Sequence, residues 1–245
     1  MLKQLKALIT NFKAFLSHKF RKYDIKLPYF IVILIAFLIV IACVKLFVEL
    51  TESLKTDVLA QFDVEVTNYV MSFKSSHLTN YFIAVTNIGD VYGYLVIFGA
   101  CSLLFYLIFK SWSHVLQLSL VLFLALSSNL ALKEMVDRQR PTLEHLVTVE
   151  TLSYPSGHAM TAMAFYGFLI YMFSTFRIGL FFKIFIAIAL SLFILSIGIS
   201  RIYLGVHFPS DVAGGFIAGF FWVIFCVLTF NLIKLFRRDP ESKKH

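Results

Sequence analysis

The chain has 245 residues, of which 59% are hydrophobic and only 15% charged, with a mean hydropathy of +0.82. Soluble domains are nearer half apolar and about one quarter charged, so the composition excludes a water-soluble globule, a disordered chain and a disulfide-built secreted scaffold. The net charge of +8 would point to nucleic acid in a soluble protein, but in a membrane chain its distribution between loops matters more, and no nucleic-acid partner is expected.

Residues 1–26 carry Leu2, Leu5, Leu8, Ile9, Phe12, Phe15, Leu16 and Phe20 at three- and four-residue intervals, with lysines between them. The pattern predicts a basic amphipathic arm lying on the anionic lipids of the inner leaflet. Val40–Cys43 resembles a lipoprotein cleavage box, but the charged stretch before it is unusually long, so the segment is expected to stay. Apolar runs long enough to cross a bilayer core follow at Leu27–Val44, Val91–Phe109, Val115–Leu132, Ala159–Phe176, Ile184–Ser200 and Val212–Leu235. The expected fold is therefore all-α: a six-helix transmembrane bundle over residues 27–235, preceded by the interfacial arm and followed by a basic tail, 236–245. Residues 49–90 predict one or two short helices along the outer surface, where Asp57, Asp63 and Glu65 read as a solvated face. Cys43, Cys101 and Cys226 lie in apolar runs and read as small hydrophobes.

Six spans put both termini on one side. Fifteen of the 22 Lys and Arg residues fall in the two termini and the two loops on that side, six fall opposite, and Lys45 lies at the end of span one. The bias makes the termini cytoplasmic. Three polar groups then share the outer face: Lys133 to Pro141 after span three, Pro155 to His158 before span four, and Ser200 to Asp211 between spans five and six. Ionisable residues at membrane depth are costly and call for a functional account.

Lys133, Arg140 and Arg201 offer three positive charges, and Arg presents a planar fork of donors that matches phosphate oxygens. Ser156 and Gly157 precede a helix start, where backbone N–H groups and the dipole favour an anion. His207 and Asp211 are one helical turn apart, so the carboxylate can hold Nδ1 while Nε2 faces a substrate. This suits His207 as a nucleophile forming a phospho-histidine, with His158 protonating the leaving alkoxide and then activating water. Two histidines and Asp211 among three fixed cations do not suit a metal ion, and no zinc spacing is present, so neither metal nor cofactor is expected.

The three groups resemble the type-2 phosphatidic acid phosphatase superfamily, which includes bacterial membrane lipid phosphatases and vanadium haloperoxidases. Its pattern is Lys-x6-Arg-Pro, then Pro-Ser-Gly-His, then Ser-Arg-x5-His-x3-Asp, met at every position over about 80 residues from Lys133 to Asp211. The resemblance implies a metal-independent phosphatase at the outer membrane–water boundary of a bacterial plasma membrane. It gives His207 as nucleophile, Asp211 as its orienting partner and His158 as general acid and base, with Lys133, Arg140, Ser156, Gly157 and Arg201 binding the phosphoryl oxygens. The substrate would be a lipid phosphate or diphosphate, undecaprenyl diphosphate first among them. Phosphatidylglycerophosphate or phosphatidate is the alternative, as is a lipid phosphotransferase using the same histidine. No obligate protein partner is evident.

The other singled-out residues take plainer expectations. His18, His77, His114, His145 and His245 read as surface residues, and Gly215 and Gly219 as a close helix packing. Arg138 is a candidate for touching a second phosphate, and Tyr203 and Phe208 for lining a lipid-tail groove or an interfacial belt.

Overall fold

A computed structural model of the chain describes residues 27–110, 112–141, 146–147 and 152–238. Among them the fold is all-helical, with eight helices: α1 (Leu27–Ser53), α2 (Asp57–Met71), α3 (Ser76–Ile88), α4 (Val91–Phe109), α5 (Ser113–Val136), α6 (Gly157–Thr175), α7 (Leu180–Tyr203) and α8 (Pro209–Arg238). The expected amphipathic arm lies outside the described residues. Compact units divide after Ile41. The described part of the first is the start of α1, which exposes Val32, Leu34, Ile35, Phe37 and Leu38. The second holds the rest of the chain.

Among the described residues, five helical segments are long and apolar enough to cross a membrane: Ile31–Ser53, Val91–Phe109, Ser113–Val136, Leu180–Tyr203 and Pro209–Lys234. The first runs past the expected end at Lys45, whose exposed side chain pairs with Glu49 one turn on, at 3.6 Å. The stretch expected as span four forms α6, which is long enough but less apolar, since Thr161, Tyr166, Gly167, Tyr171 and Ser174 dilute it. A helix enclosed by protein does not need the apolarity of one facing lipid. Ala159, Met160, Ala162, Ala164, Phe165, Phe168 and Leu169 are all buried, so most of α6 is covered, by α5, α7 and α8, leaving a half-buried stripe at Met163, Gly167 and Ile170. The outer helices do the reverse: Leu95, Leu116, Phe123, Phe181 and Leu192 are exposed apolar side chains of a kind that a lipid-facing belt presents.

The expected short helices after α1 are α2 and α3. Each begins at a residue whose side chain accepts from the first turn, Thr56 from the Leu59 N–H and Ser75 from the Leu78 N–H. Asp90 caps α4 in the same way, and α5 ends at Asp137, which takes the left-handed conformation (φ 49°) and turns the following arginines away from the helix axis.

The α6–α8 contact depends on Gly215 and Gly219, as expected. A Cβ on Gly215 would lie 2.6 Å from the Ser156 carbonyl oxygen, and one on Gly219 2.4 Å from that of Met160. Both obstacles are backbone, which cannot swing aside. Gly219→Ala should therefore cost about 1–3 kcal/mol, the usual penalty of overpacking. Gly99→Ala, where a Cβ meets open space, should be neutral or slightly stabilising. Thermal unfolding of the two variants in the same detergent checks the contrast.

Candidate active site

The ends of α5 and α7 and the starts of α6 and α8 meet at one end of the bundle. The Ser156 N–H donates to the Asp211 carbonyl (3.0 Å), the His207 N–H to the Arg201 carbonyl (3.2 Å), and the Ser153 N–H to the Arg138 carbonyl (2.8 Å). All eight sequence-predicted residues lie on these segments. The electrostatic neighbours of His158 are Arg201, His207, Lys133 and Arg140, so the second histidine sits within the cation group.

Asp211 and His207 are both buried. Oδ2 of Asp211 faces His207 Nδ1 at 3.5 Å, longer than an ordinary hydrogen bond, and accepts from Ser153 Oγ (2.5 Å) and the Phe208 N–H (2.8 Å). Catalytic pairs often tighten only with substrate. On the far side of the ring, Arg140 Nη1 lies 3.2 Å from His207 Nε2. Arg is only a donor, so Nε2 is the acceptor and the ring proton resides on Nδ1, toward Asp211. This leaves the Nε2 lone pair pointing into the cations. Burial pushes the His207 imidazole down from 6.5 to about 3, against the opposing pull of Asp211. The ring is neutral at physiological pH.

Arg140 also donates to the Val206 carbonyl at 2.7 Å. Arg201 is held by a hydrogen bond from Nη1 to Thr86 Oγ1 on α3, while its buried Nε has no hydrogen-bond partner among the described residues. The Ser156 hydroxyl is likewise buried and unpartnered, and does not cap its own helix. A buried hydroxyl at a helix N-terminus and a buried guanidinium N–H near Lys133 are groups that an anion can satisfy. Gly157 has a packing reason as well: a Cβ there would lie 2.9 Å from Oδ1 of Asn129, which supports the turn by donating to the Pro155 carbonyl at 3.1 Å.

Other expectations need correction. Asp63 is not on a solvated face; it has no exposed surface, and accepts from Arg138 Nη2 (2.8 Å), the Ser210 N–H (2.9 Å) and Ser210 Oγ (2.5 Å). The Asp63 carboxylate and the Asp211 carboxylate (Nη1 to Oδ1, 2.6 Å) engage Arg138 in place of a second phosphate. Tyr203 is buried and bonded through Ser75 and Thr79, so it does not line a tail groove, while the half-buried Phe208 packs its ring against the Arg138 guanidinium at 4.6 Å. His114 is half-buried against Phe109 and Phe176 rather than on the surface, whereas His77 is exposed; His18, His145 and His245 lie outside the described residues. Sequence reading also missed Ser153, Asn129 and Thr86, polar side chains with no motif spacing to mark them. The three cysteines are free thiols.

Cations gathered around a buried histidine that faces a carboxylate, in a chain with helices long and apolar enough to cross a membrane, suit a membrane phosphatase. The sequence profile of the PAP2 superfamily matches residues 114–234, and the chain belongs to that family. It is 32% identical over 202 residues to phosphatidylglycerophosphatase B of Bacillus subtilis (strain 168), spanning 81% of this chain and 93% of that one. It is 29% identical over 146 residues to the lipid A 1-phosphatase of Rhizobium etli, 55% of this chain and 58% of that one. The crystal structure of a transmembrane PAP2 type phosphatidylglycerolphosphate phosphatase from Bacillus subtilis superposes with a TM-score of 0.71 at 27% identity, covering 82% of this chain and 98% of that chain. Aquifex aeolicus LpxE superposes at 0.54 with 25% identity, covering 67% and 93%. The protein is thus a multi-pass membrane phosphatase of the PAP2 type.

The depressed His207 value has a sign that stability measurements can read. Below 6.5 the unfolded imidazole binds a proton that the folded one refuses until about pH 3, so stability falls as pH drops through that window. His207→Asn should show a shallower loss of melting temperature between pH 6.5 and 4 than the parent in the same detergent. Parallel slopes would mean that the buried ring is not the cause.

Proposed function

We propose that the protein removes a phosphate monoester from a membrane glycerolipid at the extracytoplasmic face, through a phospho-histidine on His207. The observation that carries the reading is the Nε2 lone pair of a neutral, Asp211-held imidazole, aimed at Arg140 among the cations. Nε2 attacks phosphorus; the N–P bond forms as the ester P–O bond breaks, and the leaving alkoxide takes a proton from His158. Water then attacks phosphorus from the same side as the departed alcohol, giving its proton to His158 while the N–P bond breaks and inorganic phosphate leaves. Lys133, Arg140, Arg201, the Ser156 hydroxyl and the α6 N-terminus stabilise the charge on the equatorial oxygens, the kind of preorganised field that supplies most of such catalysis. These cations fill the role that a divalent metal plays in other phosphatases, so activity should persist in EDTA.

The lipid assignment is supported by an apolar cavity of about 280 Å³ lined by Phe47, Ala131, Leu132, Met160, Ile217 and Trp222. Leu132 adjoins Lys133 and Met160 lies two residues after His158, so hydrocarbon is accommodated beside the phosphoryl site. Two observations favour a glycerolipid monoester over the undecaprenyl diphosphate preferred on sequence. The extra cation that could have met a second phosphate, Arg138, is held by two carboxylates. The relative matched over most of both chains is named for phosphatidylglycerophosphate. In this reading α6 is a sixth span, both termini are cytoplasmic, and α2 and α3 lie outside in a bacterial plasma membrane.

Phosphate release in EDTA by the detergent-solubilised protein should be highest, by kcat/KM, on phosphatidylglycerophosphate, with phosphatidate and undecaprenyl diphosphate below it. His207→Ala should lower kcat by about a thousandfold or more, as loss of a nucleophile does. A preference for the diphosphate would reverse the substrate assignment, and an active His207→Ala would remove the nucleophile. For orientation, an impermeant maleimide should label Lys74→Cys, in the exposed α2–α3 turn, on intact cells, and Arg177→Cys, between α6 and α7, only after lysis. The reverse pattern would turn the protein over.

A further inference from the structure

The phosphoryl site is assembled from the part of the chain that the family profile covers, residues 114–234. Asp63 lies well before it, on α2, yet it is among the most completely buried ionisable groups of the protein. We propose that Asp63 is a positioning residue for the reaction, acting through Arg138 and Ser210 to hold Asp211 against His207. The proposal rests on His207 being the nucleophile.

The geometry is a closed brace. Arg138 spans two carboxylates, Nη2 on Asp63 Oδ2 at 2.8 Å and Nη1 on Asp211 Oδ1 at 2.6 Å. Ser210, the residue before Asp211, closes the ring: its Oγ accepts from Arg138 Nη1 at 2.7 Å and donates to Asp63 Oδ2 at 2.5 Å, while its N–H donates to Asp63 Oδ1 at 2.9 Å. Asp63 therefore fixes the first turn of α8, from which Asp211 projects, both through the backbone and through the guanidinium. With Oδ1 of Asp211 anchored to Arg138, its Oδ2 faces the imidazole.

Charge gives the brace a second role. Arg138 beside Asp211 alone would cancel the carboxylate that must stabilise positive charge growing on the imidazole as the N–P bond forms. Two carboxylates and one guanidinium leave the group net negative, and its Asp211 member faces His207. Replacing Asp63 by Asn keeps the size, removes the negative charge and turns one of two accepting oxygens into a donor, so the brace weakens and the effect should fall on the chemical step and not on substrate binding.

The test is single-turnover transfer from radiolabelled phosphatidylglycerophosphate in mixed micelles, with enzyme in excess and saturating. The rate constant then reports how fast competent molecules react, not how many have folded. Asp63→Asn should lower it by about 10- to 100-fold, the range for partners that orient a reacting group, with steady-state KM within about threefold. Asp63→Glu should recover part of the loss, and Glu65→Gln, exposed on the same helix, should leave the rate unchanged. A wild-type rate constant in Asp63→Asn, or a lower yield of product at an unchanged rate constant, overturns the proposal and leaves Asp63 structural. If Asp63→Asn does not fold, Ser210→Ala carries the test: the brace requires a several-fold drop in the same rate constant, and no drop overturns it. His207→Ala keeps the two readings apart, because turnover by that variant removes the nucleophile whatever Asp63 does.

Discussion

Asp211 has no exposed surface, and an ionised carboxylate can be kept from water only where partners replace its hydration. The two oxygens divide that duty: Oδ1 takes Arg138, while Oδ2 takes Ser153, the Phe208 N–H and, at longer range, His207. Each partner brings a different part of the chain with it. Arg138 follows the left-handed turn that ends α5, Ser153 precedes α6, and His207 and Phe208 close the α7–α8 connection. Removing a partner would leave the carboxylate less well compensated, and the shared carboxylate ties these connections to one point.

The second convergence is on α3 and was not legible in the sequence. Arg201 reaches Thr86, Tyr203 reaches Ser75 and Thr79, and Gly89 leaves only enough room for the His158 ring, whose Cδ2 would lie 3.3 Å from a Cβ at that position. A Thr, a Ser and a Gly in a surface helix look the same whether they face water or a buried guanidinium. The motif residues were legible for the opposite reason. Lysine, arginine and histidine beside apolar runs are expensive, so their spacing alone marked them. Asp63 shows where that logic ends: among the acidic residues of a mixed-polarity helix it had no cost visible in one dimension, and only Arg138, 75 residues away, gives it one.

The spans divide along the same line. The helices that expose Leu, Ile and Phe were readable from composition because lipid contact demands apolar residues at most positions. The central helix α6 answers to protein neighbours, so it carries small residues for close approach and polar ones near the site, and it falls outside the five segments apolar enough to cross a membrane. Gly215 and Gly219 on α8 were readable as a spacing. What they receive, the backbone carbonyls of Ser156 and Met160, is what ties the start of α6 to α8 and so brings Ser156 and His158 to the level of Asp211.

The unsatisfied atoms then acquire a meaning that isolated burial would not give. Ser156 Oγ and Arg201 Nε are buried donors without acceptors, and the Arg140 guanidinium rests against the lone pair of a neutral ring. Among the described residues these donors gather on the Nε2 side of His207, whereas in the neighbouring cluster of Asp63, Arg138, Ser210 and Asp211 both carboxylates and the guanidinium are paired with one another. A self-contained acidic brace set beside the cation group separates two tasks that would otherwise compete for the same arginine. In the proposed reaction one cation holds the carboxylate beside the histidine, and Lys133, Arg140 and Arg201 meet the phosphoryl dianion.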